Sequence, residues 1–292
     1  MTKNIVIAVD AKERTLDALA LGLLLTTATQ APAVLMTVFG YFPLEDPDGA
    51  AMVSLREDAR TTLLELGSSV GLDGAEAHVV AGNFAGRELQ RVTEASTTGL
   101  LVVGSTMRGP AGRLLLGGIG ERMLSGAACS VAIAPRGYGD RPPARLDCIG
   151  VGFDGSEEAQ RALDAAITIA HATTARLRVI TAFPRMAFGG VAAAGMAGRS
   201  VNDALRSELR ALHDTALAEA GTSVPVEGRF LDGSAEEVTV QESGDVDLLV
   251  AGSRGYGPRG AVLIGSTTAA LARGASSPLL VTPRGTRFDL LT

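Results

Sequence analysis

The chain has no tryptophan, three tyrosines and eight phenylalanines, and aromatic residues make up only 4% of its 292 positions. A sandwich with an aromatic-rich core is therefore excluded. The abundance of small aliphatics with 36 glycines favours strands and helices alternating through tight turns. Two cysteines, Cys129 and Cys148, cannot supply a disulfide framework, and Cys129 reads as a small buried hydrophobe beside a strand. The three histidines, His78, His171 and His213, lack metal-ligand spacing, and no Cys-x-x-Cys is present. Surface or helix-face positions are expected for them, with no metal site. Basic residues are outnumbered, 26 against 32 acidic, and the net charge of −6 excludes a basic surface for nucleic acid or anionic membrane. Apolar runs are interrupted by Thr, Asp or Gly before reaching membrane-spanning length. The stretch Asn4–Val9 ends in Asp10 and lacks a signal-peptide layout, so a cytoplasmic protein is expected.

What the chain does have is a long internal repeat. Leu100-Leu-Val-Val-Gly-Ser-Thr-Met-Arg-Gly-Pro-Ala-Gly112 aligns without gaps on Leu248-Leu-Val-Ala-Gly-Ser-Arg-Gly-Tyr-Gly-Pro-Arg-Gly260. The same offset of 148 relates Gly117 to Gly265, Gly126 to Gly274 and Pro135-Arg-Gly137 to Pro283-Arg-Gly285. Asp10 and Asp154 stand 144 apart, so the second half carries a net insertion of four residues. Two tandem domains follow, 1–137 and 147–292, joined by a polar, proline-bearing linker at 138–146.

Periodicity gives each half the order β-α-β-α-β-α-β-α-β. In the first, strands are expected at Asn4–Val9, Ala33–Phe39, Ala75–Val80, Leu100–Val103 and Ser130–Ala134. Helices fall between them, one with Leu16, Leu19, Ala20, Leu23 and Leu24 on a single face. In the second, strands are expected at Cys148–Phe153, Leu177–Phe183, Val224–Leu231, Val246–Ala251 and Leu279–Thr282. Ser156 is placed to cap a helix whose first turn carries Glu157 and Glu158, and a long helix is expected over Val201–Ala220. Phe183–Arg199, rich in small residues and without a period, reads as a mobile loop. The alternation argues for two open five-stranded parallel sheets, each with helices on both faces and right-handed crossovers.

In such sheets ligands bind beyond the C-terminal strand ends, where strand order reverses. Asp154 ends the first strand of its half and can accept hydrogen bonds from ribose hydroxyls. Gly252 ends the fourth and lets a nucleotide approach the backbone. Gly255, Gly265, Ser266 and Thr267, with Ser253 beside them, offer N–H groups and hydroxyls to phosphates at a helix start. Arg254 and Arg259 are placed to screen phosphate charge.

The pattern Gly252-x-x-Gly255-x9-Gly265-Ser266, after an aliphatic strand and with Asp154-Gly-Ser156 upstream, resembles the ATP-binding signature of the universal stress protein family. The resemblance extends over both halves. It implies the adenine nucleotide alpha hydrolase-like, Rossmann-like fold and ATP with Mg2+ as cofactor. It also implies an intrachain pseudo-dimer in which the last strands pair, with a homodimer as a further option. The function implied is a cytoplasmic ATP-binding stress-response regulator acting on an unidentified protein partner. A slow ATPase or autophosphorylating enzyme and a nucleotide-free structural dimer are the alternatives.

The first half departs from the pattern. Asp10, Gly104 and Gly117 match, but Met107 replaces the second glycine and Gly118 replaces the serine, so a weaker site is expected there; Gly109 and Gly112 offer the alternative of a shifted loop. Other motifs fail on context. Gly255-x-Gly257-x-x-Gly260 is separated from the next helix and lacks a following acid, and Gly150-x-Gly152-x-x-Gly155 begins inside a strand. Gly260-x4-Gly265-Ser266-Thr267 lacks the P-loop lysine. No Gly-x-Ser-x-Gly elbow and no in-line base are found, so no catalytic residues are assigned.

Overall fold

The structure is a computed structural model describing residues 3–10, 15–39, 50–82, 84–95, 97–105, 112–115, 117–184, 196–253, 265–285, 288 and 290. The first half comprises β1 (Asn4–Ala8), α1 (Thr15–Thr29), β2 (Ala33–Phe39), α2 (Ala50–Ser69), β3 (Glu76–Ala81), α3 (Ala85–Glu94), β4 (Thr98–Gly104), α4 (Gly118–Gly126) and β5 (Ser130–Ala134). The second comprises β6 (Cys148–Gly152), α5 (Glu157–Thr173), β7 (Arg176–Phe183), α6 (Met196–Gly221), β8 (Val226–Asp232), α7 (Ala235–Glu242), β9 (Leu248–Gly252), α8 (Ser266–Gly274) and β10 (Leu279–Thr282). The alternation expected from the sequence is present in both halves.

All ten strands form one sheet in the order β3-β2-β1-β4-β5-β10-β9-β6-β7-β8. Within each half every pairing is parallel, and the halves meet where β5 and β10 run antiparallel, with Ile133 opposite Leu279 and Val131 opposite Val281. The last strands therefore pair as the resemblance implied. Residues on both sides of this seam, including Ala132 and Leu280, are fully buried. Because direction reverses there, the C-terminal strand ends of the two halves lie on opposite edges of the sheet.

Helix α1 differs from its expected one-faced character. Leu16 is exposed, whereas Ala18, Leu19, Leu21 and Leu25 are buried on several faces. A helix this apolar all round must be covered all round. One side lies on β1, where a Cβ at Gly22 would come within 2.3 Å of the Ile7 Cδ1, and another contacts α5 of the other half. The linker completes the cover. Asp17, itself buried, accepts the N–H groups of Gly137 at 3.0 Å and Gly139 at 2.8 Å. The connection is thus docked on α1, through a short 3-10 turn at Tyr138–Asp140.

Helix α6 begins at Met196, so the end of the segment expected to be a loop is helical. Residues 185–195 of that segment lie outside the described residues. Both cysteines are free and buried, and burial pushes the Cys129 thiol up to about 12, as suits an inert packing residue. His213 lies on a helix face, as expected, but on the buried face of α6, because β8 folds over it: a Cβ at Gly228 would lie 2.5 Å from its Nε2. Among the described residues no three His, Cys, Asp or Glu side chains cluster to hold a metal. Nor is any helix among them long and apolar enough to cross a membrane.

Candidate functional site

The chain turns in opposite directions after β6 and β9, which pair directly through Ile149–Leu248 and Val151–Val250. Their C-terminal ends therefore flank a crevice, with Asp154 on one side and Gly252 on the other. A cavity of about 300 Å3 occupies it, lined among others by Asp154, Gly252, Gly265, Ser266 and Thr267. These residues come from three stretches distant in sequence, and the fold brings them together at the strand ends.

Three helices start at this crevice, and their N-termini differ. Ser156 caps α5 by accepting the Ala159 N–H at 3.2 Å, and Ser234 caps α7 by accepting the Glu237 N–H at 3.2 Å. Helix α8 starts from Gly265, which has no side chain to offer, so its first-turn N–H groups receive no cap from the residue that begins the helix. Such open donors, with the positive end of the helix dipole, suit an anion. The start of α8 is held in place by Thr268, whose hydroxyl donates to the Gly252 carbonyl at 3.0 Å.

Three carboxylates border the same space. Asp154 accepts the Ser156 N–H at 3.0 Å, and Glu158 lies 3.5 Å from the Arg284 guanidinium. Glu236 accepts a hydrogen bond from the Ser266 hydroxyl, then one from its own N–H, and these hold its carboxyl below the usual carboxylate range. Glu236 was not singled out from the sequence. The Ser234-x-x-Glu237 capping signature was the available signal that a helix starts beside it.

Gly252, which lines the cavity, has a packing reason for being glycine as well. A Cβ there would sit 2.5 Å from the Glu158 carbonyl oxygen and 2.7 Å from its carbon, inside the backbone of α5. Helix packing requires the missing side chain. Ser253 is 1% exposed, does not line the cavity, and has a hydroxyl without a hydrogen-bond partner among the described residues. Gly255, Arg254, Gly257, Arg259 and Gly260 lie outside the described residues.

The equivalent crevice of the first half lies between the ends of β1 and β4, which also pair directly. Its cavity is larger, about 960 Å3, and is lined by Asp10, Gly104 and Gly117. Gly117 caps α4 with backbone alone, as Gly265 does for α8. The next three residues diverge: Ser266-Thr267-Thr268 become Gly118-Ile119-Gly120. Three hydroxyls are lost, among them the one that ties α8 to its strand. Arg87 and Arg122 stand at the rim instead. The described end of the glycine loop is held by Ser105, whose Oγ donates to the Leu115 carbonyl at 2.8 Å and accepts its N–H at 2.9 Å. Gly112 takes the positive φ of 74° that a glycine turn allows. Met107 and Gly109 lie outside the described residues.

A parallel α/β sheet with paired crevices at its switch points places the chain among Rossmann-like proteins. The pattern that defines the universal stress protein family matches residues 1–135 and again 147–283, so the chain belongs to that family as a tandem of two domains. A universal stress protein from Archaeoglobus fulgidus DSM 4304 is similar over 98% of this chain and 100% of its own, with a TM-score of 0.70 and 21% identity. One from Pseudomonas aeruginosa UCBPP-PA14 is similar over 99% of this chain and 95% of its own, with a TM-score of 0.66 and 18% identity. At these identities the likeness establishes the fold.

Proposed function

We propose that this protein is an adenine-nucleotide-binding stress-response regulator in the cytoplasm, with ATP held by the second crevice. The observation that carries the reading is the uncapped start of α8, Gly265–Thr267, facing Asp154 across the β6/β9 switch point. Open N–H groups and the hydroxyls of Ser266 and Thr267 suit phosphate oxygens. The Asp154 carboxylate suits ribose hydroxyls. A bare triphosphate would meet the negative charge of Glu236. Mg2+ fits this donor set, because Glu236 and Ser266 offer the oxygen ligands it prefers, with phosphates and water supplying the rest.

The test is to denature the purified protein, then identify and count the released nucleotides. About one ATP per chain is expected if one crevice binds tightly, and Gly265→Val should abolish it by filling phosphate space. Gly265 has φ −61° and ψ 153°, a backbone that valine adopts freely, so the substitution adds no backbone strain, and an unchanged thermal midpoint is the check that the fold is kept. No nucleotide in the wild type, or unchanged content in the variant, overturns the proposal.

One observation favours a second reading, slow autophosphorylation. The Ser266 hydroxyl and the Glu236 carboxylate line the same cavity at the place proposed for the phosphates, so a nucleophile and a proton acceptor stand in one site. Incubation with MgATP and mass spectrometry decides between them. A phosphate on Ser266, lost in Glu236→Gln, would support transfer, and ATP retained intact supports the regulator.

A further inference from the structure

The two crevices have the same topology and opposite rims, and the first has lost the features proposed to hold phosphates in the second. At the start of α4, Ile119 occupies the position of Thr267 and is 42% exposed. Phe84, the residue before α3, is 67% exposed at the same mouth. Two large apolar side chains left in water beside one cavity are a feature that a bound ligand would cover. Its interior is apolar too, with Met36, Val38 and Leu89 on its walls.

The charge is equally distinctive. The Arg87 guanidinium lies 5.7 Å from the centre of the Phe84 ring. The Arg122 side chain crosses Gly86, where a Cβ would come within 2.8 Å of its Cδ and 3.2 Å of its Nε. Gly86 thus makes the room that lets Arg122, from the facing helix, line the same cavity as Arg87. Neither arginine makes an ion pair among the described residues, although Glu88 nearby is engaged by Arg91 at 3.0 Å. The residue that corresponds to Arg122 in the second half is Ala270. The carboxylates Glu158 and Glu236 line the crevice there instead.

We propose that the first crevice is a second ligand site of different chemistry, taking an anion with an apolar body, its carboxylate or phosphate group held by Arg87 and Arg122. The apolar body lies on Met36, Val38 and Leu89 and covers Phe84 and Ile119. Arginine suits both carboxylate and phosphate, because its planar fork matches either anion with paired N–H donors. A volume of about 960 Å3 falls within the size range of small-molecule sites, roughly 300 to 1,000 Å3. Where the second crevice is proposed to select a polar nucleotide, the first selects an amphiphile.

The full-length protein is titrated with dansyl-undecanoate, and separately with dodecyl phosphate as competitor, to compare the two anionic groups. One saturable dansyl site per chain is expected, with displacement by dodecyl phosphate. Arg87→Ala and Arg122→Ala should each weaken binding on the order of tenfold, as loss of one charge-assisted contact does. Both side chains are exposed, so these variants keep their thermal midpoint and their nucleotide content. Gly86→Leu, which pushes Arg122 aside, should reproduce the loss. Absence of saturable binding overturns the inference, as does binding that ignores the arginine variants. Displacement of the probe by MgATP with two nucleotides per chain would assign this crevice to ATP and overturn it as well. Probe binding that survives in Gly265→Val locates the probe in the first crevice, whereas its loss there sinks this inference. The nucleotide proposal stands or falls separately, on the released ATP.

Discussion

His213 is the residue whose environment has the clearest consequence in solution. Its ring is buried, with Nδ1 2.9 Å from the Thr181 Oγ1, and Thr181 donates its own proton to the Phe153 carbonyl at 2.9 Å. The Thr181 oxygen therefore accepts from Nδ1–H. Phe230 and the His213 ring meet edge to face with centroids 5.7 Å apart, and the Arg210 guanidinium lies over the Phe230 ring at 3.9 Å from its centroid. Burial, the largest influence, lowers the His213 pKa; Asp214 opposes this and Arg210 adds to it. The unfolded chain thus binds a proton that the folded chain refuses, and stability falls as pH drops below about 6.5, the ordinary histidine value. His213→Gln should be less stable at pH 7, and its deficit should shrink between pH 7 and 5, by at most about 1.4 kcal/mol per pH unit. Urea denaturation across that range checks this, and a constant deficit would refute it. The sequence offered no hint of this burial, because it depends on Gly228 in β8 admitting the ring. Asp154 and Ser156 were legible by contrast, since a strand end followed by a helix cap is local.

At the scale of elements, the contact between α5 and β9 determines the width of the second crevice. Gly252 faces the backbone at Glu158, and no side-chain rotation can relieve a clash with a carbonyl oxygen 2.5 Å away. Gly252→Ala should therefore push α5 from the sheet and cost about 1–3 kcal/mol, the range for overpacking. Denaturant unfolding measures it, and an unchanged midpoint would show that α5 moves freely. The repeat made Gly104 and Gly252 recognisable as paired positions, but sequence alone assigned Gly252 to ligand access. Its packing partner lies about ninety residues earlier, on a helix whose approach angle no pattern specifies. The start of α8 was more readable. A glycine before Ser-Thr-Thr marks a helix without a side-chain cap, and the structure adds that Thr268 ties it to the strand end. The contrast with Gly118-Ile119-Gly120 was visible only in part, through Gly118, because Arg122 acquires its meaning from Gly86 on a different helix.

For the whole molecule, the decisive feature is that neither half owns its core. The antiparallel seam of β5 and β10 is buried, and α1 and α5 contact each other across the halves. Further ties cross away from the sheet. The Leu114 N–H donates to the Ala275 carbonyl at 2.8 Å, and the Arg113 guanidinium to the Gly274 carbonyl at 3.0 Å. These acceptors end α8, the helix whose start faces the second crevice. The linker adds its own tie through Asp17. Separating the halves would expose two apolar strand edges at once, which is costly enough to couple their unfolding. The absence of tryptophan makes this simple to measure, because one inserted indole reports from a chosen place. Phe84→Trp in the first half and Leu212→Trp in the second substitute exposed side chains, so either reporter leaves the core unchanged. Both should give the same urea midpoint and slope, and both should agree with loss of helical circular dichroism. Midpoints that separate would show two independent domains joined by a linker. A shared midpoint would make the antiparallel seam the centre of a single cooperative unit, with a ligand crevice on each edge.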